Sequence, residues 1–223
     1  MRILISLFIL IKISCFSQKN ILNDNYIIYT KICQKALVQD YDSVFYFFNF
    51  WLKTEHHLDS IQRVFIDTDL KNYRESKFWA LNEDSLKKIY LLNYPDIKEK
   101  ELGFLLWKWG AEDQKNRTLS KFVKTKPETS HNNLAFDTTG LSVRNMKESY
   151  ILNLVMKKGW LSNSMVGFHG SKAAFLIIQH SSNNKYRKKC LEKMEIALKN
   201  KDNAPIHYAM MLDRYLIYKH KKK

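Results

Sequence analysis

The sequence predicts an all-α protein, and three observations carry that expectation. Apolar residues recur at helical spacing, as in Ile28, Ile32, Cys33, Ala36 and Leu37. Helix stops and starts fall between such runs, at Tyr94-Pro95, Gly159 and Pro205. No stretch of any length alternates with the period of two that a half-buried strand requires.

Taken from the start, residues 1–17 have the layout of a signal peptide. Arg2 supplies a positive end, Ile3 to Ile11 an apolar run, and Cys15-Phe16-Ser17 a cleavage site, with Gln18 first in the mature chain. The apolar run is short of the ~20 residues needed to span a bilayer. The expectation is export to the periplasm or medium. Acylation at Cys15 is the alternative, against which Lys12 stands where a lipoprotein signal wants an apolar residue.

Residues 18–95 are expected to form a helical hairpin region. The first helix carries the Ile28 to Leu37 face, Gln39 to Asp42 is a turn with Asp42 as N-cap, and Val44 to Trp51 starts a second apolar helix. With Asp69-Leu70 and Trp79 further on, this helix-turn-helix pattern resembles one tetratricopeptide hairpin. A further helix runs from Glu83 to Leu92. Glu55-His56-His57-Leu58-Asp59 has the composition of a metal site, but adjacent histidines on a helix diverge and no facial set is completed. No metal or cofactor is expected.

The second domain, 96–223, begins with a long helix from Ile97 to about Val123 carrying Trp107 and Trp109. A linker follows over Lys124 to Asn133, then a helix from Arg144 to Lys158 with Met146, Tyr150, Ile151, Leu154 and Val155 inward, capped by Gly159. Trp160 to Gly170 reads as a loop. Ser171 caps a helix, Lys172 to His180, whose core is apolar on all sides and therefore buried. Ser181 to Asn184 is a turn, and Lys185 to Lys199 turns Cys190, Leu191, Met194, Ala197 and Leu198 inward. The last helix starts at Pro205, with Ile206, Ala209, Met210, Asp213, Leu216 and Ile217 as its inward stripe.

The net charge is +15, but the excess is almost all Lys spread along the chain, with no Arg-rich arm or recognised nucleic-acid fold, so nucleic acid is not the expected partner. Another envelope protein, met through the N-terminal helices, fits better. Cys33 and Cys190 remain after cleavage, either paired or buried as thiols.

A few polar residues fall where apolar ones are expected. Asp113 and Arg117 continue the Leu106–Trp109 stripe, Asp213 lies in the last helix's stripe, and His180 ends the buried helix. Such groups should pair with one another or with a ligand, because an unpaired charge in a dry core is costly. Three readings follow. One is a polar network that fixes helix register, with His180 a satisfied core residue; another is a binding module whose Arg117 or Arg214 holds an anion; the third is a hydrolytic site with His180 as general base, oriented by Asp113 or Asp213.

At these residues the chain resembles a bacterial family described as domain of unknown function 6624. Its pattern is matched by Asp113, Gln114 and Arg117, then Gly159-Trp160, Val166-Gly167, Ala173-Ala174 leading to Gln179-His180, and Asp213-Arg214. Leu161 stands where the family has proline and Ser182 where it has an acidic residue; the family's later Tyr-Gly-Thr-Gln does not occur before Lys223. The resemblance implies His180, Asp113 and Asp213 as catalytic candidates, and Arg117, Arg214, Gln179, Gln114 and Trp160 as ligand contacts. It implies no particular reaction.

Overall fold

The computed structural model describes residues 24–55, 57–124 and 138–220, with the backbone alone for 115–124 and 138–142. The expected signal peptide, the Lys124–Asn133 linker beyond its first residue, and His56 lie outside the described residues, as does the side chain of Arg117. All regular structure among the described residues is helical. None of these helices is long and apolar enough to cross a membrane. The chain divides into two compact units between Tyr90 and Leu91.

Unit 1 starts with α1 (residues 24–37) and α2 (Tyr41–Thr54), joined by a turn in which Gln39 takes a left-handed φ of 59°. The cap of α2 is Asp40, whose side chain accepts from the Ser43 amide at 3.3 Å, so the expected cap at Asp42 sits two residues too late. Short helices α3 (Leu58–Ile61) and α4 (Lys71–Arg74), with a 3-10 turn at Gln62–Phe65, lead to α5 (Trp79–Asn93). The core is aromatic. Phe48 lies 5.9 Å from Trp51, 6.4 Å from Tyr73 and 6.2 Å from Trp79, ring to ring, and burying each such ring stabilises by roughly 1.5–3 kcal/mol.

Unit 2 is built on α8 (Asn163–Gln179), against which α6 (Lys100–Lys124), α7 (Thr138–Lys158), α9 (Asn184–Lys199) and α10 (Pro205–His220) all pack. Ala173, Ala174, Phe175, Ile177 and Ile178 are buried in its middle, as an all-apolar helix must be. The segment before α6 is tied to its start: the Lys98 and Glu99 amides donate to the Ser164 and Met165 carbonyls at 3.2 and 2.9 Å.

Four expectations are corrected in unit 2. The stretch read as a loop is helical from Asn163, with Ser162 rather than Ser171 at the N-cap position, and only Gly167 breaks it, at φ 74° and ψ 160°. Ser171 is inside the helix and fully buried. Helix α7 turns Glu148, Ile151, Leu152 and Val155 inward and leaves Met146 and Tyr150 exposed. Helix α10 shows the opposite face from the one expected. His207 and Met211 are buried, with Tyr208, Leu212 and Tyr215 packed on the core, while Ile206, Ala209, Met210, Asp213, Leu216 and Ile217 are exposed. Both faces of α10 are apolar enough to satisfy a helical period; the tyrosines and the histidine, given little weight as hydrophobes, make up the buried one.

That histidine sits in a stack of three rings, 4.6 Å from Phe175 at 10° and 5.8 Å from Phe168 at 27°. Burial, and then the Lys172 ammonium, hold its imidazole below the ordinary histidine range. The folded state therefore resists a proton that the unfolded chain accepts, so stability is fully present above about pH 6.5 and falls as pH drops through the folded value. A urea-denaturation series against pH should show this acid-side loss in the wild type and a flatter profile in His207→Phe.

Candidate functional site

The last turn of α8 leaves carbonyls with no intrahelical partner and carries the negative end of the helix dipole. Two arginines meet it. Arg187 of α9, 1 % exposed, donates Nε to the Gln179 carbonyl at 3.0 Å and a terminal nitrogen to the Ser181 carbonyl. Arg144 of α7 donates to the His180 carbonyl. Burial holds Arg187 below its ordinary value, yet a guanidinium keeps its charge at neutral pH. The buried Glu148 carboxylate supplies countercharge, accepting from Arg144 Nε at 3.1 Å and from the Ser181 hydroxyl at 2.5 Å. These groups clamp the backbone on which Gln179 and His180 are mounted.

From that mount, His180 reaches α6. Its Nδ1 and Asp113 Oδ2 are 2.8 Å apart, and both side chains are 10 % exposed. With Asp113 ionised, Nδ1 carries the proton and donates, so Nε2 is the basic nitrogen of the neutral ring. Asp113 Oδ2 also accepts from the exposed Gln114 carboxamide at 3.2 Å. The pair has the geometry of a histidine oriented by a carboxylate.

Gln179 faces α10 instead. Its carboxamide lines an open pocket of about 370 Å³ together with Ala209, Met210, Asp213 and Arg214, and its nitrogen donates to the Met210 carbonyl at 3.4 Å. Asp213 thus belongs to this pocket on the exposed side of α10, and His180 is paired with Asp113. Trp160 is 3 % exposed within the core of unit 2, its indole N–H without a partner among the described residues, so it is presented to neither group.

Arg144, Glu148, Ser181 and Arg187 went unnoticed in the sequence. A signal existed for two of them: Arg187 lies three and four residues before the buried Cys190 and Leu191, and Glu148 three before Ile151 and seven before Val155. Helical spacing puts both on inward faces.

Neither cysteine is paired, and burial pushes the Cys190 thiol up to about 12. In unit 1, Cys33, Asp67 and Asp69 offer ligand atoms within 4.8 Å of one another. Asp67 already accepts from the Tyr29 hydroxyl at 2.8 Å, and burial, then Asp67 and Asp69, push the Cys33 thiol up to about 12. A metal would have to displace that proton to gain a thiolate ligand. The trio is a hydrogen-bonded cluster that the sequence did not flag.

No family model, no curated protein and no solved structure matches the chain.

Proposed function

We propose that this is an exported cell-envelope protein whose second unit is a binding module, its ligand held at the C-terminal end of α8, and a divergent member of the family its motifs resemble. The observation that supports the reading is a convergence: α6 brings Asp113 to His180 and α10 brings Asp213 and Arg214 to Gln179. Residues that are spread along the sequence arrive at two neighbouring positions, which an Arg-clamped turn holds rigid. On unit 1, Tyr26, Val38 and Tyr46 are exposed, and Val38, the most exposed of the three, is the residue through which contact with another envelope protein is tested. Recovery of the protein from its host's envelope tests export and contact together: a mature chain starting at Gln18 and a co-purifying protein lost in Val38→Asp are expected. An intact Met1 would refute cleavage.

The 2.8 Å pair favours a second reading, hydrolysis with His180 as the base that activates water and Asp113 as its orienting carboxylate. Two measurements on His180→Ala separate the readings. A binding module loses about 1–3 kcal/mol of stability through the orphaned Asp113 and shows no change in ester or amide turnover from a wild type that has none. A hydrolase shows turnover in the wild type that drops on the order of 10²-fold or more in the variant.

A further inference from the structure

We infer that the pocket between Gln179 and α10 takes a short peptide with free termini, a zwitterion of dipeptide size. This names the ligand class of the binding module proposed above and rests on that reading. Asp213 and Arg214 are consecutive on α10, yet both line the one pocket. Neither side chain makes a hydrogen bond or ion pair among the described residues, with each other or with a neighbour, so both are open to a ligand in the pocket. The two charged side chains that line the pocket are of opposite sign, and the Arg187 guanidinium, close enough to interact with Arg214, adds positive charge behind it. A simple anion would satisfy Arg214 and be repelled by Asp213, and a simple cation would meet the reverse; only a ligand carrying both charges is attracted by both. The expectation from sequence that Arg214 holds an anion is narrowed accordingly.

The rest of the lining fits the same chemistry. Gln179 offers a carboxamide, donor and acceptor together, which matches the two edges of a peptide bond. Its present bond to the Met210 carbonyl is long at 3.4 Å and can be exchanged. Ala209 and Met210 give an apolar wall, and Met210 and Ile206, one turn before it, are exposed, so an apolar side chain of the peptide has a surface to cover. At about 370 Å³ the pocket is at the small end of the range that binds small molecules, roughly 300–1,000 Å³.

The test is calorimetry with alanyl-leucine, its N-acetyl form and its C-terminal amide, on wild type, Asp213→Asn and Arg214→Gln. Asp213 is exposed and Arg214 half-buried without a hydrogen-bond partner among the described residues, so both variants should keep the wild-type melting point. Expected are binding of the free dipeptide and losses of roughly two- to fivefold on blocking either end. The cost of acetylation should vanish in Asp213→Asn, and that of amidation in Arg214→Gln. If blocked and free peptides bind alike, or none binds, the peptide assignment is wrong. Should a non-peptide compound then bind and be lost in Arg214→Gln, the binding module stands without this ligand; if no compound responds to either substitution, that reading falls too.

Discussion

Replacing Arg187 with alanine is expected to lower the stability of unit 2 by about 3–5 kcal/mol, as the loss of a buried, multiply bonded charged group does. The side chain is 1 % exposed and bonds to the Gln179 and Ser181 carbonyls and, at 3.1 Å, to the Asn184 carboxamide. Its guanidinium also lies 4.7 Å from the centre of the Tyr218 ring. Truncation leaves two carbonyls at the negative end of α8 without donors and the Glu148 carboxylate with less compensating charge. Thermal unfolding should show a drop of roughly 10–20 °C. Arg187→Lys keeps the charge but not the fork that reaches two carbonyls at once, so it should recover less than half of the loss. Full recovery by lysine would show that charge alone matters and that the clamp does not.

Gly167→Ala is expected to cost about 1–3 kcal/mol, because φ 74° with ψ 160° is a conformation open essentially to glycine alone. The break it makes joins the short first turn of α8, bound at Ser164 and Met165 to the segment before α6, to the long buried part. Asparagine, which often replaces glycine at left-handed helix ends, should not rescue this position, since ψ lies far outside the left-handed helical well. Chemical denaturation of both variants checks the claim. Alanine at wild-type stability would mean the helix runs straight through.

The helical class was legible because the apolar period recurs in nearly every segment, and helix ends at Gly159 and Pro205 were readable from the backbone positions that glycine and proline favour. Gly159 does take a left-handed φ of 86°, with its amide donating to the Val155 carbonyl at 3.1 Å. Harder to read were places where composition and packing disagree. Residues 160–170 are rich in Gly, Ser and Asn, which lowers helix propensity, but contacts with the chain around Lys98 and Asp202 hold those from Asn163 on helical. Asp202 accepts from the Ser162 hydroxyl at 2.6 Å and from the Ser164 amide at 2.7 Å. These bonds outweigh its burial and keep its carboxyl below the ordinary range.

The inward face expected of α9 is the one observed, from Cys190 to Ala197, but the charged residues that lie inside α7 and α9 were not read. Glu148 and Arg187 are buried through one another's neighbourhood, in α7 and α9, and a single helix's pattern cannot reveal a partner on another helix. In the site itself, helix faces offered His180 two partners, Asp113 and Asp213, and the structure pairs it with Asp113 on the α6 face that Leu106 and Trp109 phase. The placement of Asp213 was missed for the converse reason: α10 presents two apolar faces, and the weaker one on a hydropathy scale is buried.

The most direct measurement is nitrogen–proton shift mapping of the isotope-labelled protein with any compound that raises its melting point in a ligand screen. The proposed site predicts that Gln179, His180, Met210 and Arg214 move with saturable shifts, and that both the shifts and the melting effect disappear in Arg214→Gln. Shifts confined to other surfaces, or a melting effect undiminished in that variant, would contradict it.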